Sequence, residues 1–502
     1  MDCSTLMLVF AFLFSCLWII FFHQNQKKNP KFSNLPPGPL PFPIIGNILE
    51  IGENPHQSLS QLSKTYGSLM TIKLGSITTI VISSPDLAKE ALQKHDLAFS
   101  GRTVPHTLQT HDHHKVSVVF LDPSLQWKTL RRACITKIFS SSQLDSTQNL
   151  RLSKLQEMLE YVNECCRKSE TLDIGELAFT TVLNSLTSTL FSIDLAGFAS
   201  DSSREFKGLV WGMMEEGGRP NISDFFPCLR VLDPQGARSR MDKYSGKLLK
   251  ILDDIVGERM ELIGASKMEK DSDVHKDVLG SLLGQDETQL GRLDIVHLFG
   301  DLLVAGTDTT SSTVEWAMAE LLRSPEKLEK LRNELHQVIG DEDINIEESH
   351  IKKLPFLRAV LKETLRLHPP VPLLVPHKAL EDAEIGGFTV PKNAQILINV
   401  WAMGRDSSIW CSPYQFMPER FLESEIDFKG HDFQLIPFGA GRRICPGLPL
   451  AFRSVSFMLA SLIHKYNWKL ADDLHPNEIN MEEKFGLALK RVHPLRAIPS
   501  NK

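Results

Sequence analysis

The run Phe438-Gly439-Ala440-Gly441-Arg442-Arg443-Ile444-Cys445-Pro446-Gly447 says more about architecture than any other segment of the chain. It is a glycine-bracketed loop that presents one cysteine just ahead of an apolar, helix-like run starting at Leu448. Gly439 and Gly441 permit positive φ and let a flat ligand approach the main chain. A cysteine beside a helix N-terminus and close to Arg442 and Arg443 has its thiolate form favoured. A thiolate held in this way can ligate iron.

The spacing resembles the signature of the cytochrome P-450 haem-thiolate monooxygenases, Phe-x-x-Gly-x-Arg-x-Cys-x-Gly, with the fixed positions at Phe438, Gly441, Arg443, Cys445 and Gly447. So many matches in one short window make a buried structural cysteine after a glycine turn a poor competitor. The resemblance implies a mainly α fold with small β-sheets and a single large haem domain. It also implies haem b (iron protoporphyrin IX), Cys445 as the axial iron ligand, and Phe438 and Gly439 against the cofactor.

Length and composition agree with this without demanding it. A chain of 502 residues, 42% hydrophobic, can bury one very large core or two to three ordinary ones. A net charge of only -6 with no long basic run argues against nucleic acid as a partner. The eight cysteines contain no C-x-x-C pair, so neither a disulfide framework nor a zinc ribbon is expected.

The N-terminus differs in kind. From Leu6 to Phe22 the chain is apolar except for Ser15, which as a helix spans roughly 26 Å, close to a bilayer's hydrocarbon thickness. Asp2 precedes it in place of a basic region, no small-x-small cleavage site follows, and Lys27, Lys28 and Lys31 lie on its C-terminal side. A retained membrane signal anchor over 1–23 is expected, preceding the haem domain as a transmembrane helix. A basic and proline-rich linker over 24–43 follows, then a cytosolic catalytic domain over 44–502. The prolines from Pro36 to Pro43 read as a stiff spacer.

Leu69–Leu74 and Thr78–Ile82 alternate like a hairpin, 85–95 reads as a helix, and amphipathic periodicity dominates from Ser124 to Gly340. The irregular stretch 100–121 carries His106, His111, His113 and His114. A metal site is one reading of that cluster; a solvated or entrance-lining loop is the better one, since no cysteine or acid recurs at helical spacing. The longest helix is expected from about Asp294 to Arg323, stopped by Ser324-Pro325. Its centre, Ala305-Gly306-Thr307-Asp308-Thr309-Thr310, is polar where core leucines would be expected. Two readings stand: a kink with threonine hydroxyls bonded back to carbonyls, or a local widening over a ligand.

Further motifs extend the resemblance. The polar centre matches the family's oxygen-activation motif, which implies Thr309 and Asp308 as the catalytic pair, Asp308 relaying protons from solvent. Glu363 and Arg366 share a helix face and, with Pro418-Glu419-Arg420-Phe421, match the E-x-x-R and P-E-R-F pair. This implies a buried network of Glu363, Arg366 and Arg420 that locks the loop ahead of Cys445. Trp127-Lys-Thr-Leu-Arg131 matches the W-x-x-x-R element, which with Arg443 implies donors to the haem propionates. His377 stands where the family usually has arginine, so its propionate contact becomes neutral or protonatable.

In finer texture the chain is similar to the plant microsomal terpenoid-hydroxylase branch that includes geraniol hydroxylases and abietane diterpenoid oxidases. Asn54-Pro-His-Gln57, Ser100-Gly-Arg-Thr-Val104 and Met481-Glu-Glu-Lys-Phe-Gly486 carry that likeness. It implies insertion of one oxygen atom from O2 into a C–H bond of a lipophilic terpenoid at the endoplasmic reticulum membrane. Substrate would be shaped by Phe299, Leu302, Leu303, Ala305, Val371, Leu373, Leu374, Phe485 and Leu487. The chain offers no dinucleotide fingerprint, so NADPH acts indirectly, through a partner NADPH-cytochrome P-450 reductase. A haem-thiolate isomerase or dehydratase acting on a preformed peroxide is the alternative class; retention of Asp308 and Thr309 argues against it.

Overall fold

The computed structural model describes residues 34–198, 201–266, 277–284, 290–340 and 346–502, together with Phe12 and Ser15. The expected anchor and most of its linker lie outside the described residues. Among the described residues no helix is long and apolar enough to cross a membrane.

The alternating stretches fold as expected. Leu69–Leu74 and Ile77–Ile82 pair antiparallel, Leu69 opposite Ile82 and Leu74 opposite Ile77. The second of these strands also pairs in parallel with Gln395–Ile398, which in turn pairs antiparallel with His377–Lys378, and that strand with Gly101–Arg102. The sheet therefore brings together segments about three hundred residues apart in sequence and sets His377 directly opposite Arg102. The end of the proline-rich segment does not stand off as a spacer. Pro37 O accepts a 2.8 Å hydrogen bond from Thr71 N, and Pro36 and Pro39 are buried against the sheet.

Helices dominate the rest of the body, which among the described residues also holds three smaller sheets of two or three strands, one of them the hairpin of Glu483–Lys484 and Lys490–Arg491. The longest in the interior, Arg292–Arg323, ends at Ser324-Pro325 as its sequence requires and is buried on nearly every side. It packs most extensively on the helix Ile174–Phe191. Gly306 sits at that crossing, where a Cβ would lie 2.9 Å from Leu186 Cδ1 and displace the end of that side chain. The central helix is continuous α-helix through residues 305–310, so the local widening considered from the sequence is not present. The run over 85–95 is a helix Pro85–Lys89 that loosens into a π-helical turn over Glu90–Lys94.

Candidate active site around Cys445

The cysteine loop closes on itself. Cys445 N donates to Phe438 O at 2.9 Å, Gly439 and Gly441 take φ of 72° and 63°, and the helix Leu448–Lys465 starts three residues beyond the thiol. Gly441 has no alternative residue, since a Cβ there would sit 2.1 Å from Leu92 O. The Phe438 ring packs 5.7 Å from Phe428 and steadies the loop from behind.

Cys445 has accessible surface although protein surrounds it, which places its sulfur on an internal void and not in bulk water. Burial pushes the thiol above its ordinary value; the amides of Gly447 and Leu448 and the charge of Arg131 pull the other way. This corrects the expectation that Arg442 and Arg443 favour the thiolate. Arg442 pairs with Asp96 at 2.8 Å, and Arg443 is turned to main-chain carbonyls.

A second interior surface lies on the central helix. Ala305 is exposed while its neighbours Leu303 and Thr307 are fully buried at 0%, and Thr309, one turn on, is half-buried. Thr309 Oγ1 donates to Ala305 O at 2.7 Å, the back-bonded arrangement that one of the two sequence readings described. Asp308 points to the other side, toward Lys490.

Near the cysteine loop three arginines crowd together. Arg102 donates to Val375 O, Arg131 to Ile444 O, and Arg443 to Ser100 O at 2.9 Å and to Leu121 O. Burial, reinforced by its neighbours Arg443 and Arg131, brings Arg102 down to about 9. Burial likewise brings Arg443 down to about 10, with Arg131 and Arg442 adding to the effect and Asp122 opposing it. Arg102 Nε and Arg443 Nη1 are buried without a partner. Cations massed in a low dielectric with spare donors are costly alone and suit an anionic ligand. The Trp127 indole is not free for that ligand: it donates to Val118 O at 3.0 Å and lies 4.5 Å beneath the Arg443 guanidinium. His377 is fully enclosed, bonds Phe99 O at 2.7 Å through Nδ1, and is held neutral by burial and by the charges of Arg102 and Arg443.

The expected ion network is present. Glu363 and Arg366 form a bidentate pair at 2.7 and 2.8 Å, both at 0% exposure, and Arg420 Nε joins at 3.1 Å. Arg366 also grips Gly404 O, Pro413 O and Gln415 O. The residues expected to shape substrate fall in different settings. Phe299 and Leu303 have no accessible surface, and Phe299 packs 5.8 Å from Phe191 in the helical core. Leu302, Leu373 and Leu374 are nearly buried, whereas Val371 and Leu487 are half-buried. Phe485 stacks on His56 at 5.7 Å.

The chain matches the model of the cytochrome P450 family over residues 36–494. It belongs to that family. It is similar to the protein named cytochrome P450 76T24 of Catharanthus roseus, 51% identical over 480 residues and 96% of each chain. It is also similar to geraniol 8-hydroxylase of the same plant, 49% identical over the whole of both chains (100% each). Ferruginol synthase of Salvia miltiorrhiza is 43% identical over 99% of each. The protein is thus a P450 monooxygenase that uses haem b, with NADPH as the distant source of electrons. The donor set fits this cofactor: a cysteine on an internal void and an arginine cluster with orphaned N–H groups match an iron ligand and two propionates.

Sequence reasoning missed Arg102, which lies deepest in that cluster. Its signal was an arginine flanked by a strand-like, otherwise uncharged stretch, 100–104, with no acid beside it. The histidines of 106–114 do not form a metal site; among the described residues no group of three or more His, Cys, Asp or Glu could hold one.

Proposed function

We propose that this P450 hydroxylates a lipophilic plant terpenoid, either a monoterpene alcohol or an abietane-type diterpenoid, at a haem held by Cys445. One observation carries the reading: two interior surfaces are accessible inside a packed body, Cys445 Sγ and the Ala305–Thr309 face of the central helix. We take them as the two walls of one cavity, with cofactor on the first and substrate under the second. Leu302, Val371, Leu373, Leu374 and Leu487 add apolar surface suited to a terpenoid. The names of the relatives, geraniol 8-hydroxylase and ferruginol synthase, support that class.

When bound, haem supplies the iron at which O2 is reduced and one oxygen atom is made available for a C–H bond. Arg102, Arg131 and Arg443 would hold its carboxylates, and neutral His377, paired with Arg102 across the sheet, adds no charge to that cluster. Thr309 places a hydroxyl at the cavity face, and Asp308, paired with Lys490 on the other side of the helix, resupplies protons by swinging from that pair toward the cavity. Glu363, Arg366 and Arg420 fix the segment before the cysteine loop. A flavin reductase in the endoplasmic reticulum membrane delivers the electrons, and residues 1–23 hold the catalytic body to the cytosolic side of that membrane.

The test is to express the chain with an NADPH-dependent reductase in microsomes and supply geraniol and abietane diterpenes. Products carrying one added oxygen atom, dependent on reductase and NADPH, are expected by mass spectrometry. A normal thiolate-type band in the reduced carbon monoxide complex with no oxygenated product from either class rejects the substrate assignment. Retention of that band in Cys445→Ser rejects the iron ligand.

A further inference from the structure

The loop 103–121 is tied to the central helix at one carboxylate. Asp301, buried at 7% exposure, accepts from Ser117 Oγ at 2.8 and 3.0 Å, from Val118 N at 2.9 Å and from His113 Nε2 at 3.0 Å. A carboxylate only accepts, so His113 Nε2 carries the proton. Its Nδ1 shares a hydrogen bond with His297 Nδ1, 2.8 Å away. His297 stays neutral because burial, then His113, pushes it down to about 4. The same short segment is tied at its other side to the arginine cluster. Val118 O accepts from the Trp127 indole, Trp127 lies under Arg443, and Arg443 donates to Leu121 O. Ser117 Oγ stiffens the turn between the two ties by accepting from Val119 N at 3.1 Å.

Asp301 lies one helical turn before Ala305, and the two share a helix face. Whatever fixes the loop at Asp301 therefore fixes it beside the proposed cavity wall. We propose that Asp301, Ser117, His113 and His297 form a positioning site that sets residues 117–121 against both the substrate cavity and the arginine cradle, so that substrate seating and cofactor seating depend on one segment. This rests on the reading of Cys445 as the iron ligand.

The test uses the full-length holoenzyme with Ser117→Ala, Ser117→Thr and Asp301→Asn. Hydrogen exchange is followed along 103–121, and affinities for imidazole and for 4-phenylimidazole are read from the haem spectrum. Loss of one buried hydrogen bond corresponds to about a tenfold change. Ser117→Ala should accelerate exchange over 117–121 by about that factor and weaken 4-phenylimidazole, which must fit under the loop, while imidazole binding is unchanged. Ser117→Thr, which keeps the hydroxyl, should restore both. Should Asp301→Asn fail to fold, the serine pair decides alone. Unchanged exchange at 117–121, or equal acceleration throughout the chain, overturns the proposal. Faster local exchange with an unchanged ratio of the two affinities overturns its link to the cavity. If the wild-type holoenzyme itself lacks the thiolate-type band, the Cys445 reading fails, while exchange still judges the tie at Asp301.

Discussion

Lys490 Nζ lies 2.6 Å from Asp308 Oδ1, a one-third exposed ammonium against a carboxylate that is 3% exposed. The other carboxylate oxygen, Oδ2, is buried without a partner. Burial raises the Asp308 carboxyl above its usual range, and Lys490 opposes the rise both by charge and by hydrogen bond. The pair bridges solvent and the centre of the longest interior helix. Replacing the lysine with an uncharged side chain of similar length removes that opposition.

In Lys490→Met the Asp308 carboxyl should rise further and stay protonated to higher pH. A proton donor works in its protonated form, so the pH above which product per NADPH declines should move upward. A profile superimposable on that of the parent enzyme would remove the pair from proton supply.

Thr309→Ala tests the hydroxyl beside Ala305. Haem content and substrate affinity should be nearly retained while product per NADPH drops about tenfold and hydrogen peroxide rises, since general acid–base assistance is worth at least that much. Thr309→Ser should keep most product. A hydroxyl serving only the helix would instead cost about 1 kcal/mol of stability with coupling unchanged.

Glu315, on the same helix, accepts from Leu495 N at 2.8 Å and is raised from 4.5 to about 7, chiefly by burial. A group whose folded value is raised adds stability fully present below the unfolded value and lost as pH climbs through the folded one. Folding stability should therefore fall between about pH 4.5 and pH 7 through this residue. Glu315→Gln, which keeps an acceptor for Leu495, should flatten that slope and raise the melting temperature relative to the parent at pH 8 more than at pH 5. Thermal melts at the two pH values give the comparison.

Breaking the bidentate pair should be severe. Arg366→Met leaves Glu363 buried with Arg420 as its one remaining charged partner beside the Met417 amide, and three carbonyls ungripped, a loss of about 3–5 kcal/mol. The expected result is little folded haem protein, measured as the yield of the reduced carbon monoxide complex per unit of chain.

What could be read from the sequence followed locality. The hairpin over 69–82, the central helix and the cysteine loop are each specified by neighbours within a few residues, through alternation, helical period and glycine placement. The Glu363–Arg366 pair was legible because helical spacing sets the two face to face. What escaped depends on distant partners. Arg102 joins the cluster because its strand pairs with His377 in a sheet assembled from both halves of the chain. Lys490 meets Asp308 from the strand Lys490–Arg491, far along the chain from the central helix. Glu483 binds His56, 427 residues away in sequence, and also Trp401 and Arg405, and no periodicity encodes that meeting. The thiol misreading has the same origin: sequence proximity put Arg442 and Arg443 beside Cys445, whereas folding sent one to Asp96 and the other to carbonyls.

Arg366 holds the segment before the cysteine loop by main-chain oxygens at three points, Gly404, Pro413 and Gln415. A clasp of that kind does not read the side chains it fastens. An outward-facing position between those points, such as Ser407, is free to vary in chemistry while the path of the chain stays the same. The surface laid over this part of the molecule can thus be rewritten by mutation, independently of the interior that carries out the oxidation.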